Sequence, residues 1–160
     1  MRRMRSGCCL YAHRVSRIAA VPPALGRLAL KVILAVLERR ELVNSPLTEA
    51  GAKLATVGAL MIGLPLSQGR VERVDGLIVC RGLPKWAYAR GGTCVGSVYL
   101  TGNVVSDRVL RHERVHVDQW KKYGLLFPIL YWLAGSDPLK NHFEIEAGLE
   151  DGGYVRRSAR

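Results

Sequence analysis

Apolar residues fall at helical spacing through residues 23–66, alternate with polar ones over 70–102, and return to helical spacing over 106–150. In the first block, "ALGRLALKVILAVLERREL" reads as a helix. Its polar stripe is narrow, set by Arg27, Lys31 and Glu38, so the helix asks for burial over most of its surface. "NSPLTEAGAKLATVGALMIG" reads as a second helix, capped by Ser45 or Thr48 and carrying Glu49 in its first turn. The two are expected to form a helical hairpin. In the middle block, "RVERVDGLIVCRG" sets Asp75-Gly76 between two β-prone runs, a strong hairpin signal. "KWAYARGGTCVGSVYLTGN" repeats the theme, with Gly91-Gly92 as the expected turn. These glycines lack the Lys-Ser/Thr of a phosphate loop.

The third block opens on a long helix. Ser106 can cap it, Asp107 lies where the helix dipole favours an acid, and Gly124 follows Lys121 and Lys122 as a stop. An apolar helix, a Ser-Asp-Pro turn and a short helix around Phe143–Leu149 complete the chain. Helices, then strands, then helices predict one α+β domain over residues 23–155, with basic tails at 1–22 and 156–160.

Composition changes this picture little. The 160 residues carry a net charge of +11, and the basic residues are spread along the chain with clusters at both ends. No aromatic-rich RNA-binding signature or paired Cys/His finger accompanies them, so a nucleic-acid partner is not expected. Cys8, Cys9, Cys80 and Cys94 form no C-x-x-C pair, and Cys80 and Cys94 are expected as free thiols even if their strands are neighbours. "MRRMRSGCCLYAHRV" starts as a secretory leader does, but His13 and Arg14 cut its apolar run short. The apolar stretches 28–37, 54–66 and 125–133 fall short of the about 20 residues that cross a bilayer. They are expected as core or interface segments; the compartment stays open, with the cytoplasm or a membrane periphery favoured.

The chemistry concentrates in "VLRHERVHVDQW", where His112, Glu113 and His116 spell H-E-x-x-H. On a helix the two histidines lie one turn apart on one face and can offer nitrogens to adjacent corners of a zinc ion. Glu113 is rotated about 100° from His112 and can reach beside the metal without binding it. Zinc can lower the pKa of a water to about 7, and a carboxylate so placed can take its proton. A catalytic site of this kind needs a third protein ligand. Gln119 and Lys122 stand where the longer H-E-x-x-H-x-x-G-x-x-H pattern has its glycine and last histidine, which excludes that arrangement. The remaining candidates are Glu144, Glu146 and His142, in "NHFEIEAG".

"HERVHVDQWKKYG", "FPILYWLAG" and "NHFEIEAGLEDGGY" together resemble a family of small, largely uncharacterised bacterial gluzincin-like proteins. The resemblance covers about the last 90 residues. It implies a zincin-like fold, in which a small antiparallel sheet precedes the motif helix and the third ligand comes from a C-terminal helix. It implies Zn2+ held by His112, His116 and Glu144, with Glu113 as the catalytic acid/base. It also implies that Val95–Thr101 is a sheet edge to which a peptide substrate adds as a strand. Arg114 and Asp118 depart from the usual residues of such peptidases, and solvent-facing positions would make both harmless.

Gln119 and Asn141 could orient the ligands or merely cap and solvate the surface. Tyr131 is expected in the core, with oxyanion stabilisation as the functional alternative. The expected function is zinc-dependent hydrolysis of a peptide or protein. A metal-binding, non-catalytic interaction module is the alternative, followed by a basic, membrane-peripheral structural protein without metal.

Overall fold

A computed structural model describes residues 23–88 and 91–155. It is a mixed α+β fold with the elements α1 (Pro23–Arg39), α2 (Pro46–Leu66), β1 (Val71–Val74), β2 (Leu77–Cys80), β3 (Gly92–Val95), β4 (Val98–Thr101), α3 (Asp107–Tyr123), α4 (Phe127–Ala134) and α5 (His142–Ala147). A 3-10 turn, Gly124–Leu126, joins α3 to α4. The basic tails expected at 1–22 and 156–160, with Cys8, Cys9 and His13, lie outside the described residues.

Local signals set most element ends. Ser45 caps α2 in a capping box with Thr48, and Ser106 caps α3 by accepting from the Val109 amide. Gly124 ends α3 at φ 56, a conformation in which a side chain is strained. Asp75 and Gly76 both take positive φ, 49 and 82, and turn β1 into β2.

Four expectations need correction. The sheet is not purely antiparallel: its order is β1-β2-β4-β3, and β2 pairs with β4 in parallel. β4 is buried at all four positions, which suits an interior strand covered on both faces. The sheet edge on this side is therefore β3, not Val95–Thr101 as a whole.

Gly91-Gly92 is not the hairpin turn. β3 starts at Gly92, and the turn falls at Gly96 and Ser97. Gly92 is required for packing, since a Cβ there would lie 2.4 Å from the Tyr99 ring. Gly96 takes φ 60 and lies against Thr56 of α2, whose hydroxyl accepts from the Ser97 amide at 2.9 Å.

The helical pair is not a hairpin. The buried side of α1, Leu30 and Leu37, joins a core with Phe127, Leu130 and Ala134, so α1 packs along α4. Finally, the apolar stretch Leu54–Leu66, expected to fall short of a bilayer span, lies in a longer helix: α2 starts after the expected Ser45 cap and runs through Pro65 to Leu66. At 21 residues α2 is long and apolar enough to cross a membrane.

Two clusters sandwich the sheet. Leu77, Val79 and Tyr99 pack under Val109, Leu110 and Val117 of α3. Cys80, Val98 and Leu100 pack on Ala59 of α2. The period of two along β2 and β4 sends alternate side chains to opposite helices. α3 is thus pinned to the sheet by one face, and its next face, with His112 and His116, meets α5.

Candidate metal centre

α3 presents His112, Glu113, His116 and Gln119 to the interior, and all four are buried. Burying that many polar groups is costly unless each is partnered. The partners come from the C-terminal segment. His112 Nδ1 lies 3.2 Å from both the Ala147 and the Gly148 carbonyl oxygens. A carbonyl can only accept, so Nδ1 carries the proton and the Nε2 lone pair of the neutral ring is free. His116 Nδ1 lies 2.7 Å from Gln119 Oε1, with the same consequence when the amide nitrogen of Gln119 donates to the Phe143 carbonyl at 3.1 Å and to Glu146 at 2.7 Å.

Three acceptor atoms then converge. His112 Nε2 is 3.2 Å from His116 Nε2 and 3.2 Å from Glu144 Oε2, and His116 Nε2 is 3.7 Å from Glu144 Oε1. Ligands held about 2.0–2.1 Å from a tetrahedral zinc stand about 3.3–3.4 Å apart. Glu144 Oε2 is buried and accepts no hydrogen bond, although it faces His112. The other carboxylate oxygen, Oε1, accepts from the Tyr131 hydroxyl. His112, His116 and Glu144 are the group among the described residues that could hold a metal ion.

The ionisation of the cluster follows from these contacts. Burial disfavours a charged His112, but Glu144, Glu113 and the Gly148 carbonyl outweigh it and raise its pKa above the usual value. Burial lowers the pKa of His116 and keeps it neutral. Burial would raise the pKa of Glu144, yet His112, His116 and Tyr131 hold it down at about 2. His112 Nε2, His116 Nε2 and Glu144 Oε2 thus face one another as lone-pair atoms, and Glu144 Oε2 has no hydrogen-bond donor. A divalent cation serves all three lone pairs at once, so the donor set fits one.

Glu113 is buried beside this cluster. Its charge reaches His112, and together with burial it raises the thiol pKa of Cys94 on β3 well above the usual value. Trp120 fastens the same strand to α3 by donating to the Cys94 carbonyl at 3.1 Å.

Of the other third-ligand candidates, Glu146 accepts from Gln119 and His142 is exposed against the Phe143 ring, and neither joins the cluster. Asn141 caps α5 and donates to the Tyr131 and Gly135 carbonyls, fixing where α5 starts. Arg114 is exposed and pairs with Asp75, and Asp118 pairs with Lys121, so both departures face solvent. Cys80 and Cys94 are free thiols, on strands separated by β4.

Sequence reasoning missed three contributors. Tyr131 packs against the core as expected, but its hydroxyl also donates to Glu144, a role not foreseen. Gly152 lies flat on His112, where a Cβ would come within 2.7 Å of the ring. Asp151 holds that segment down by pairing with Arg108 and Arg111 at 3.2 and 3.1 Å. The "DGG" in the sequence was the available signal, and it reads as an ordinary turn. A groove of about 300 Å³ elsewhere is lined by Asn44, Ser45, Lys53 and Thr56 among others, and none of the cluster residues borders it.

No family model matches the chain, and neither does any curated protein or solved structure. The α+β fold and the cluster therefore rest on the chain's own residues.

Proposed function

We propose that this protein is a zinc-dependent hydrolase of zincin-like fold and gluzincin type, acting on a peptide bond. The observation that carries the reading is the convergence of His112 Nε2, His116 Nε2 and the orphaned Glu144 Oε2 at metal-ligand spacing. His112, His116 and Glu144 would hold the ion, and nitrogen, nitrogen and carboxylate oxygen are a donor set that zinc accepts. Zinc supplies Lewis acidity, which polarises a carbonyl and acidifies a water. The chain's own residues do the rest. The Ala147 and Gly148 carbonyls and Gln119 keep both imidazoles in the tautomer that leaves Nε2 free. Tyr131 orients the Glu144 carboxylate. Glu113, one residue beyond His112 and shielded from solvent, accepts a proton from the attacking water and passes it to the leaving amine.

A second reading has one observation in its favour. His112 and Glu144 are each 1% exposed, and Glu113 is 3% exposed. Such burial suits a structural metal in a non-catalytic interaction module. One experiment separates the two. The zinc-loaded protein is offered a peptide library, beside a Glu113→Gln variant shown to retain zinc. Cleavage by the wild type and not by the variant supports hydrolysis. No cleavage by either leaves the binding module as the reading to keep.

A further inference from the structure

α1 and α2 bury only part of their apolar surface. On α2, Leu47 is 74% exposed and Met61 75%, with Leu54, Val57 and Ile62 exposed between and beside them. From Leu54 to the end of α2 every exposed position is apolar. On α1, Leu25, Leu28, Val32 and Val36 form a second exposed stripe, the first two at 59% and 60%. Leu125, Leu126, Ile129 and Trp132 are exposed on the elements that connect them. The 3-10 turn packs on α2, with Gly51 against Leu125, and α4 packs on α1. The exposed apolar groups thus run across neighbouring elements rather than lying scattered, as they do on ordinary protein surfaces.

We propose that this surface docks on an anionic lipid bilayer, with α1 and α2 lying in the interface. Charge selects that occupant. The chain carries +11, and residues 1–22, which lead directly into α1, hold five arginines and no acidic residue. Lys31 on α1 and Arg39 and Arg40 at its end are exposed and form no ion pair among the described residues. Anionic headgroups attract such a chain, whereas a second copy with the same charge is repelled. Apolar side chains flanked by basic ones are the pattern of helices that lie in a membrane interface. α2 is 21 residues long, but its inner side is committed to the sheet. A Cβ at Gly63 would stand 2.7 Å from Leu100, and Ala59 is buried beside it. The helix therefore lies on the bilayer with its outer face, and only 22% of its most apolar window is buried in the fold.

The test is co-sedimentation of the full chain with vesicles of phosphatidylcholine alone or with about one third phosphatidylserine. It is run at physiological salt and at about 1 M, where the screening length falls from about 8 to about 3 Å. Expected is pelleting with the anionic vesicles, weakened at least about tenfold by neutral lipid or high salt. The double variant Leu54→Glu/Met61→Glu is expected to stay in the supernatant with unchanged circular dichroism. Trp132 is exposed on α4 within this surface, whereas Trp86 is exposed on the connection between β2 and β3, so brominated lipid should quench the wild type and Trp86→Phe, and quench Trp132→Phe far less. A wild type that does not pellet, or binds neutral and anionic vesicles equally, overturns the proposal. So does quenching that tracks Trp86, or a wild-type dimer that the double variant separates.

Discussion

The inner face of α3 and the outer faces of α1 and α2 invert the usual rule in opposite directions. On α3 two histidines, two carboxyl or amide side chains and a facing glutamate are buried. On α1 and α2 leucine, valine and methionine face out. The buried polar face is complemented almost completely from within, by the Ala147 and Gly148 carbonyls, the Phe143 carbonyl, Gln119 and Tyr131. One carboxylate oxygen is left over. The exposed apolar face has no such complement among the described residues. A nearly complete site points to something small and charged, and an open face points to something broad. Burial against chemical type, residue by residue, therefore says more about function here than either does alone.

The largest effect expected from a single change sharpens that contrast. Phe143 is fully buried among Tyr123, Phe127 and Tyr131, so Phe143→Ala should cost about 3–5 kcal/mol of stability in chemical denaturation. Met61→Ala removes a comparable apolar group from the outer face and should stay within about 0.5 kcal/mol in the absence of lipid. Comparable losses at both positions would mean that the outer face is covered within the fold.

Gln119→Ala removes the acceptor that fixes the His116 tautomer. Zinc affinity by competition with a chromogenic chelator should fall about 10- to 100-fold. An unchanged affinity would make the Gln119 contact incidental.

The pH dependence is milder and its sign is fixed by His112. Because its pKa is raised in the metal-free protein, its proton competes with the metal near neutrality. The metal-free fold gains from the protonated form below the ordinary histidine value of 6.5 and loses that gain as pH rises through the higher folded pKa. Glu144, held at about 2, stays ionised throughout and contributes no step in this range. Zinc affinity should therefore rise by up to about tenfold per pH unit until that folded pKa is passed, then level off. Calorimetric titrations across pH 6 to about 8 read this directly, and a flat profile would remove His112 from the competition.

The smallest effect is expected at Arg114, whose pair with Asp75 is exposed. Arg114→Ala should cost under about 1 kcal/mol and leave zinc affinity unchanged. A clear loss of zinc would show that this departure from the usual motif matters to the site.

What was legible in the sequence is what is local. The α3 caps at Ser106 and Gly124, the Asp75-Gly76 turn and the spacing of His112 and His116 are each decided within a few residues. What was not legible depends on distant partners. Gly92 and Gly96 look alike as turn candidates, and only the Tyr99 ring and the α2 backbone distinguish their roles. The parallel pairing of β2 with β4 carries no local signature. Glu144 and Glu146 are two residues apart on α5 and so point about 200° apart, and only the placement of α5 against α3 decides that Glu144 faces the histidines while Glu146 meets Gln119. Gly152 and Asp151 act on a histidine about forty residues earlier, beyond any motif spacing.

The most direct test of the central claim is metal content. Wild-type protein and Glu144→Ala, purified identically and dialysed against the same trace of zinc, are measured by inductively coupled plasma mass spectrometry. A zinc site built by His112, His116 and Glu144 predicts one zinc per wild-type chain and a large loss in the variant, with Glu146→Gln unaffected. Wild-type protein without stoichiometric zinc, or Glu144→Ala that keeps it in full, would contradict that site.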